Sequence, residues 1–252
     1  MNLNYFKYCL FLSVLPLISF GQKKDLTNWN LKGKVKSIKE SSYFAIEKNG
    51  EVLKDSLEFY YINQYNVFGN KIEDKRYSSK GNLEKNYVYK FNKENRRIEE
   101  SQYNGKEKLM RTIYYKYDYK GKLIEDVSYK EAGKIDKKIT YLYDEKGNVI
   151  EDNSYNSELK LQKKFTYKYN ENGNKIENCK FSAENKLEKK YTFNYDKQNN
   201  IIEELCFVTK DSSNSKSVYQ YEYDNHNNWI RKTIILNEKT ESILEREIKY
   251  YE

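Results

Sequence analysis

What this chain of 252 residues lacks narrows its possibilities. It has one proline, one histidine and three cysteines. Cys9 lies in an N-terminal apolar run, so only Cys179 and Cys206 remain for the body of the protein, too few for a disulfide framework. They occupy positions one residue apart in a repeat described below, which turns them to opposite faces of regular strands and predicts two unpaired thiols. No Cys/His cluster, P-loop or GxSxG turn occurs, so no metal, cofactor or catalytic residue is assigned. Aliphatic residues are scarce too: the 38% hydrophobic share includes 27 tyrosines, and 33% of residues are charged. A thick two-layer core is excluded, and a sheet lined by half-buried aromatic rings takes its place.

Beyond the first residues there is no long apolar run. The opening "MNLNYFKYCLFLSVLPLISFGQ" has a positive charge at Lys7, an apolar stretch from Tyr8 to Phe20, and small residues at Ser19 and Gly21. This is the layout of a signal peptide over 1–21, with cleavage before Gln22. The stretch is shorter than a membrane span, so no membrane span is expected after cleavage. Export follows, to the periplasm, the cell surface or the medium. Removing Lys7 takes the net charge from +8 to +7. Acidic and basic residues are interleaved without a basic block, which argues against nucleic acid.

What is present is repetition. The residue before each repeat's anchor is Gly69, Asn95, Gly121, Gly147, Gly173, Asn199 or Asn227, the residue types that best accept a left-handed backbone. The anchors (Asn70, Arg96, Lys122, Asn148, Asn174, Asn200, Asn228) recur every 26 residues, with a last step of 28. Four residues before each anchor stands Asn or Asp: Asn66, Asn92, Asp118, Asp144, Asn170, Asp196 and Asp224. A side-chain acceptor there closes an Asx-type turn. Five residues before the anchor is always an aromatic, from Tyr65 to Tyr223, and two after it always an isoleucine, from Ile72 to Ile230. Alternation in stretches such as Phe165, Tyr167 and Tyr169 reads as strand. Each unit is therefore a β-hairpin. A further aromatic, Tyr77 in the first unit, follows the isoleucine at an odd spacing of five. Either a bulge re-aims one of the two or both faces are partly covered.

These units predict an all-β fold: a repetitive antiparallel hairpin meander, strongly twisted, as an open sheet or partial spiral shell. Residues 22–252 form one domain, with about seven units from 59 to 247, an N-terminal hairpin over 33–65 and a capping strand over 246–252.

The motif Tyr-x-Tyr-Asp/Asn-x-x-Gly-Asn-x-Ile-Glu resembles the YD or RHS-type repeats of secreted and surface proteins of bacteria, in a 26-residue variant covering roughly residues 59 to 252. The resemblance implies β-rich wrapping structures, which in large members enclose a toxic cargo. The Lys-, Asn- and Ile-rich composition and the "SFGQ" signal end also look like exported proteins of Bacteroidota.

Two acidic columns, Glu73 to Glu203 and Asp74 to Glu204, and a basic column at Lys85, Arg111, Lys137, Lys163 and Lys189 are expected to pair across strands on a wet face. His226 reads as an exposed turn residue. The aromatics outside the repeat columns, Trp29, Phe44, Tyr119 and Trp229, are the candidates for contacting a partner. The expected function is a non-enzymatic, exported repeat scaffold that binds another macromolecule, a protein first. The alternative is a glycan of the cell envelope stacked on surface aromatics.

Overall fold

The computed structural model describes residues 25–131 and 133–252; the expected signal peptide lies outside them. One short helix, α1 (Asp25–Asn28), precedes sixteen strands. These are β1 (Val35–Lys48), β2 (Glu51–Tyr65), β3 (Lys71–Ser78), β4 (Leu83–Phe91), β5 (Arg97–Asn104) and β6 (Leu109–Tyr117). Next come β7 (Leu123–Lys130), β8 (Ile135–Tyr143), β9 (Val149–Tyr155), β10 (Leu161–Tyr169) and β11 (Lys175–Ser182). The last are β12 (Leu187–Tyr195), β13 (Ile201–Val208), β14 (Ser213–Tyr223), β15 (Trp229–Leu236) and β16 (Lys239–Tyr250).

The repeated turn forms as its letters require. Asp118 shows the pattern: its N–H donates to the Lys122 carbonyl at 2.9 Å, and its carboxylate accepts from the N–H groups of Lys120 and Lys122 at 2.9 and 2.8 Å. The left-handed position is Gly121, with φ of 82°. Asn95, Asn199 and Asn227 hold the same place in other units at φ of 58°, 64° and 60°. One turn of this kind joins β2 to β3, and others join each later even-numbered strand to the next, up to β14 and β15.

Every such hairpin carries a bulge, and the extra residue is the invariant isoleucine. Tyr169 faces Lys175 and Lys168 faces Glu177, leaving Ile176 without a partner. Ile72, Ile98, Ile124, Ile150, Ile202 and Ile230 are skipped in the same way. The odd spacing between isoleucine and the later aromatic is thus resolved by the bulge. Both point outward: Ile98, Ile150, Ile176 and Ile202 are exposed, and Tyr77 stacks on Tyr60 at 4.8 Å on the same outer wall.

The sheet is closed, which corrects the expected open sheet or partial spiral shell. β1 pairs antiparallel with β16 from Val35↔Tyr250 to Phe44↔Ser242, completing a sixteen-strand barrel. Of residues 246–252, expected to cap an edge, 246–250 instead supply the end of β16 that seals this seam. The cause is cumulative. A second bulge beside the opposite turn of most hairpins, as between Lys180 and Phe181, adds to the twist of each unit. Over sixteen strands that twist and curl bring the ends together, and closure satisfies both edges at once.

Candidate functional site

Alternation sorts the strand residues into an outer and an inner wall, and the inner one carries buried charge. Five tyrosines donate a hydrogen bond to a carboxylate fifteen residues earlier in the chain. Tyr89 reaches Asp74 at 3.0 Å, Tyr115 reaches Glu100 at 2.8 Å and Tyr219 reaches Glu204 at 3.4 Å, with Tyr141 on Asp126 and Tyr167 on Asp152 between them. Burial pushes the Asp126 carboxyl up to about 6 against the opposing pull of Tyr141's hydrogen bond. Burial raises Asp152 and Glu204 too. The hydroxyls of Tyr89, Tyr115 and Tyr141 are driven well above their ordinary range, first by burial and then by the facing carboxylate. In the one unit where this tyrosine is Phe193, the acid opposite is Asn178, so hydroxyl and charge disappear together. Phe193 packs there with Tyr191 and Cys206 in a buried apolar cluster.

A second inner row ties neighbouring units. Tyr117, Tyr143, Tyr169, Tyr195 and Tyr221 each donate to a backbone carbonyl twenty residues earlier, at 2.6–2.8 Å. Next to it, burial lowers the Lys175 ammonium to about 8, with Asp152 opposing, while Lys175 lies over the Tyr167 ring. Lys232 is lowered to about 8 as well, by burial against the pull of Glu40.

One mouth of the barrel is stoppered by residues 25–34. The Asp25 carboxylate accepts from the Lys71 N–H at 2.7 Å and from the Arg97 guanidinium at 2.9 and 3.0 Å. Burial pulls Arg97 down, but Asp25 together with Tyr115, Tyr89 and Glu100 outweighs it, leaving Arg97 above its ordinary value. Leu26 and Leu31 are buried with Val35, Ile38 and Tyr65. Asn30 donates to the Gln198 carbonyl at 2.7 Å and to Asn200 at 3.0 Å, and Lys32 and Asn228 exchange two hydrogen bonds at 2.7 and 2.9 Å. Arg97 on β5 and Asn200 beside β13 lie on opposite sides of the ring. A circular ring of sixteen strands would be roughly 25–30 Å across. The stopper's backbone spans about 11 Å from Asp25 to Asn30, and the side chains of Asp25, Arg97, Asn30 and Asn200 carry the bridge the rest of the way.

The two acidic columns do not share a wet face. Adjacent strand residues point opposite ways. The Glu73 to Glu203 column lies outside, bonded to outer lysines: Lys90–Glu99 and Lys168–Glu177 at 2.8 Å, Lys190–Glu177 at 2.8 Å and Lys216–Glu203 at 2.6 Å. The Asp74 to Glu204 column is the buried inner ladder. The basic column points inward too: Lys137 and Lys163 share strand faces with Ile139, Tyr141, Phe165 and Tyr167, and Lys137 acts on Asp126 and Asp152. Cross-strand pairing of that column with both acidic columns is therefore corrected.

The partner-contact candidates divide. Trp29 packs against the stopper's core with the Lys71 ammonium 5.3 Å from its ring centre. Trp229 lies under the Arg246 guanidinium, 3.3 Å away, beside Tyr221. Phe44 is 40% exposed and Tyr119 is 92% exposed at a turn. They belong to different places and form no common site. His226 is exposed in its turn and stacks on Tyr250 at 4.1 Å. Cys179 and Cys206 are both buried, and neither forms a disulfide among the described residues. Sequence reasoning missed the tyrosine–acid ladder, although the fifteen-residue offset and the joint change at Phe193 and Asn178 are both written in the chain. It missed the stopper because residues 25–34 carry no repeat.

At the opposite end β1 and β2 outrun the barrel: Ala45–Lys48 pairs only with Glu51–Lys54, a projecting hairpin with Ile46 and Leu53 exposed beside Phe44. Among the described residues no helix is long and apolar enough to cross a membrane, and no group of three or more His, Cys, Asp or Glu side chains is placed to hold a metal ion.

No family model matches the chain, and no curated protein matches it in sequence. Among solved structures, a porin-like protein from Bacteroides uniformis is similar in fold, with a TM-score of 0.56 at 12% identity over 86% of this chain and 98% of that one. A porin-like protein from Bacteroides vulgatus superposes at 0.39, with 14% identity over 86% and 98%. A component of the Photorhabdus luminescens Tc holotoxin pore superposes at 0.30, with 13% identity over 75% of this chain and 12% of that one. The first of these likenesses establishes a shared barrel fold. The other two are too loose to carry an argument.

Proposed function

We propose that this chain is an exported, water-facing β-repeat barrel that acts as a non-enzymatic scaffold for another macromolecule, with a protein as its partner. The observation that carries the reading is the contrast between a sealed body and one projection. Closure leaves no sheet edge on the barrel body, and only the short edges of the projecting hairpin stay open to strand addition. The ladder's five acids are engaged by tyrosines and the inner acids Glu84, Asp136 and Glu188 by Arg or Lys, so they serve the wall rather than a reaction. The outer wall is crossed by lysine–glutamate pairs, whereas a membrane-spanning barrel needs an apolar outer band about 25 Å tall. The projecting hairpin brings Phe44, Ile46 and Leu53 together as an exposed apolar patch, a surface that a partner can grip. Kinship with YD or RHS-type repeats belongs to the same proposal. It is supported by the recurring Tyr-x-Tyr-Asp/Asn-x-x-Gly turn, now seen as one hairpin per unit with a bulge at its isoleucine.

The test joins a fractionation to a capture. Alkaline carbonate should release the protein from envelope preparations, and retention in the bilayer would defeat the water-facing reading. The wild type should recover one envelope protein in near-equal amount, and the paired substitution Ile46→Ser and Leu53→Ser should lose it. Equal recovery by both would move the contact off the hairpin.

A further inference from the structure

The inner wall near the unstoppered end bears a row of cations that the Tyr–acid ladder does not use. Arg76, Lys85, Arg111, Lys137, Lys163, Lys180 and Lys189 follow one another around it from β3 to β12. Strand register sets several of them against one another. Arg76 stands directly opposite Lys85, and Lys180 directly opposite Lys189, an arrangement that destabilises a sheet unless something intervenes. The acids at this level are few. Glu84 pairs with Arg76, Asp136 with Arg111 and Lys130, and Glu188 with Lys180 at 2.6 Å. Asp126 and Asp152 lie deeper, facing Lys137. Lys85, Lys137 and Lys163 have no carboxylate within 4.0 Å among the described residues. Lys163 is exposed although it points inward, so solvent reaches this rim. Its ammonium is lowered first by Lys180 and then by burial, with Lys137 adding to the repulsion.

We propose that this inner rim binds a short linear polyanion, whose oxyanion groups are held by Lys137, Lys163, Lys180 and Lys189. Neighbouring strands lie about 4.8 Å apart. The cations on β10, β11 and β12 therefore recur at about 5 Å, and Lys137 on β8 follows at about 10 Å. That spacing suits anionic groups repeated along a chain better than one small ion. Phosphate, sulfate and carboxylate groups share the needed chemistry, charge-assisted hydrogen bonding to ammonium. The proposal is independent of the protein partner, which would grip the outside of the barrel.

The experiment uses calorimetry on the full chain in about 20 mM salt, where screening is weak. The probes are tripolyphosphate, an oligogalacturonate and a heparin-derived tetrasaccharide, which separate the three oxyanion types. The sequence offers a matched control, because Lys164 and Lys190 sit beside Lys163 and Lys189 but face outward. The wild type should bind at least one probe. Lys163→Gln with Lys189→Gln should weaken that binding about tenfold or more, as two lost charge-assisted contacts imply. Lys164→Gln with Lys190→Gln, the same change in charge, should alter it no more than about twofold. Absence of binding by all three probes, or equal loss in the two variants, would overturn the proposal.

Discussion

The turn of the stoppered end recurs in five connections at the other end, yet only the stoppered end spells it strictly. At the stoppered end the turn opens on Asn or Asp and ends on a left-handed Gly or Asn in every unit. At the other end, the backbone bonds are the same: Asn156 N–H to the Lys160 carbonyl and Leu159 N–H to the Asn156 carbonyl, both at 3.0 Å. There the opening residue is Ser78, Asn104, Lys130, Asn156 or Ser182, and the left-handed place is held by Gly81, Glu107, Gly133, Leu159 or Asn185. The strict end has more to do. The stopper docks on the Gly69 and Gln198 carbonyls and on Asn200 and Asn228, while Tyr223 and Tyr250 reach the turn acids Asp196 and Asp224. A turn that also receives other parts of the chain tolerates fewer letters than one that meets only water.

The sharpest way to break this contrast is to remove the stopper's anchor. Asp25→Ala leaves the Arg97 guanidinium buried without its main partner and should cost about 3–5 kcal/mol in urea unfolding. Lys108→Ala, which breaks an exposed pair with Glu131 at the other end, should cost no more than about 0.5 kcal/mol. Comparable losses would show that the stopper is incidental to stability.

Between the two ends, Asp126→Asn tests the ladder through pH. A carboxyl whose folded pKa is raised contributes its stability in full below its unfolded value near 4 and loses it as pH rises through about 6. The Asn variant should therefore gain on the wild type between pH 4 and 7, by up to about 3 kcal/mol. Melting curves of both proteins at the two pH values would read this, and a gap independent of pH would refute the buried-acid account. Lys175 and Lys232, lowered by burial, act in the reverse sense: their stabilising contribution is complete above their unfolded value and is lost as pH falls through about 8. They are common to both proteins and cancel in the comparison.

Smaller effects sharpen the contrast at the turns. Asp118→Ala removes two backbone hydrogen bonds at the strict end and should cost about 1–2 kcal/mol. Lys130→Ala, at the equivalent place of the permissive end, should stay within about 0.5 kcal/mol. Leu159→Gly relieves a leucine held at a φ of 59° and should stabilise by up to about 1 kcal/mol. A loss on that substitution would mean that the side chain has a packing role outweighing its strain.

Much of the local structure was legible. The Asn/Asp and Gly/Asn columns specify the turn because an Asx acceptor and a left-handed residue act within five residues, needing no distant partner. The isoleucine column was visible, but its role was not: a bulge residue is recognised only when the facing strand's register is known, as where Lys168 and Tyr169 pass over Ile176. The Tyr141–Asp126 rung was in reach of the sequence through its constant offset. The expectation that both acidic columns were wet hid it, although adjacent strand residues face opposite ways.

Alone, the sequence determined hairpins, their turns and their alternating faces, because each follows from interactions among near neighbours in the chain. Only the tertiary structure decided that the sheet closes, that residues 25–34 stopper one mouth and that the basic column turns inward. Those outcomes depend on twist summed over sixteen strands and on contacts such as Val35 with Tyr250 and Asp25 with Arg97. No local pattern records that sum.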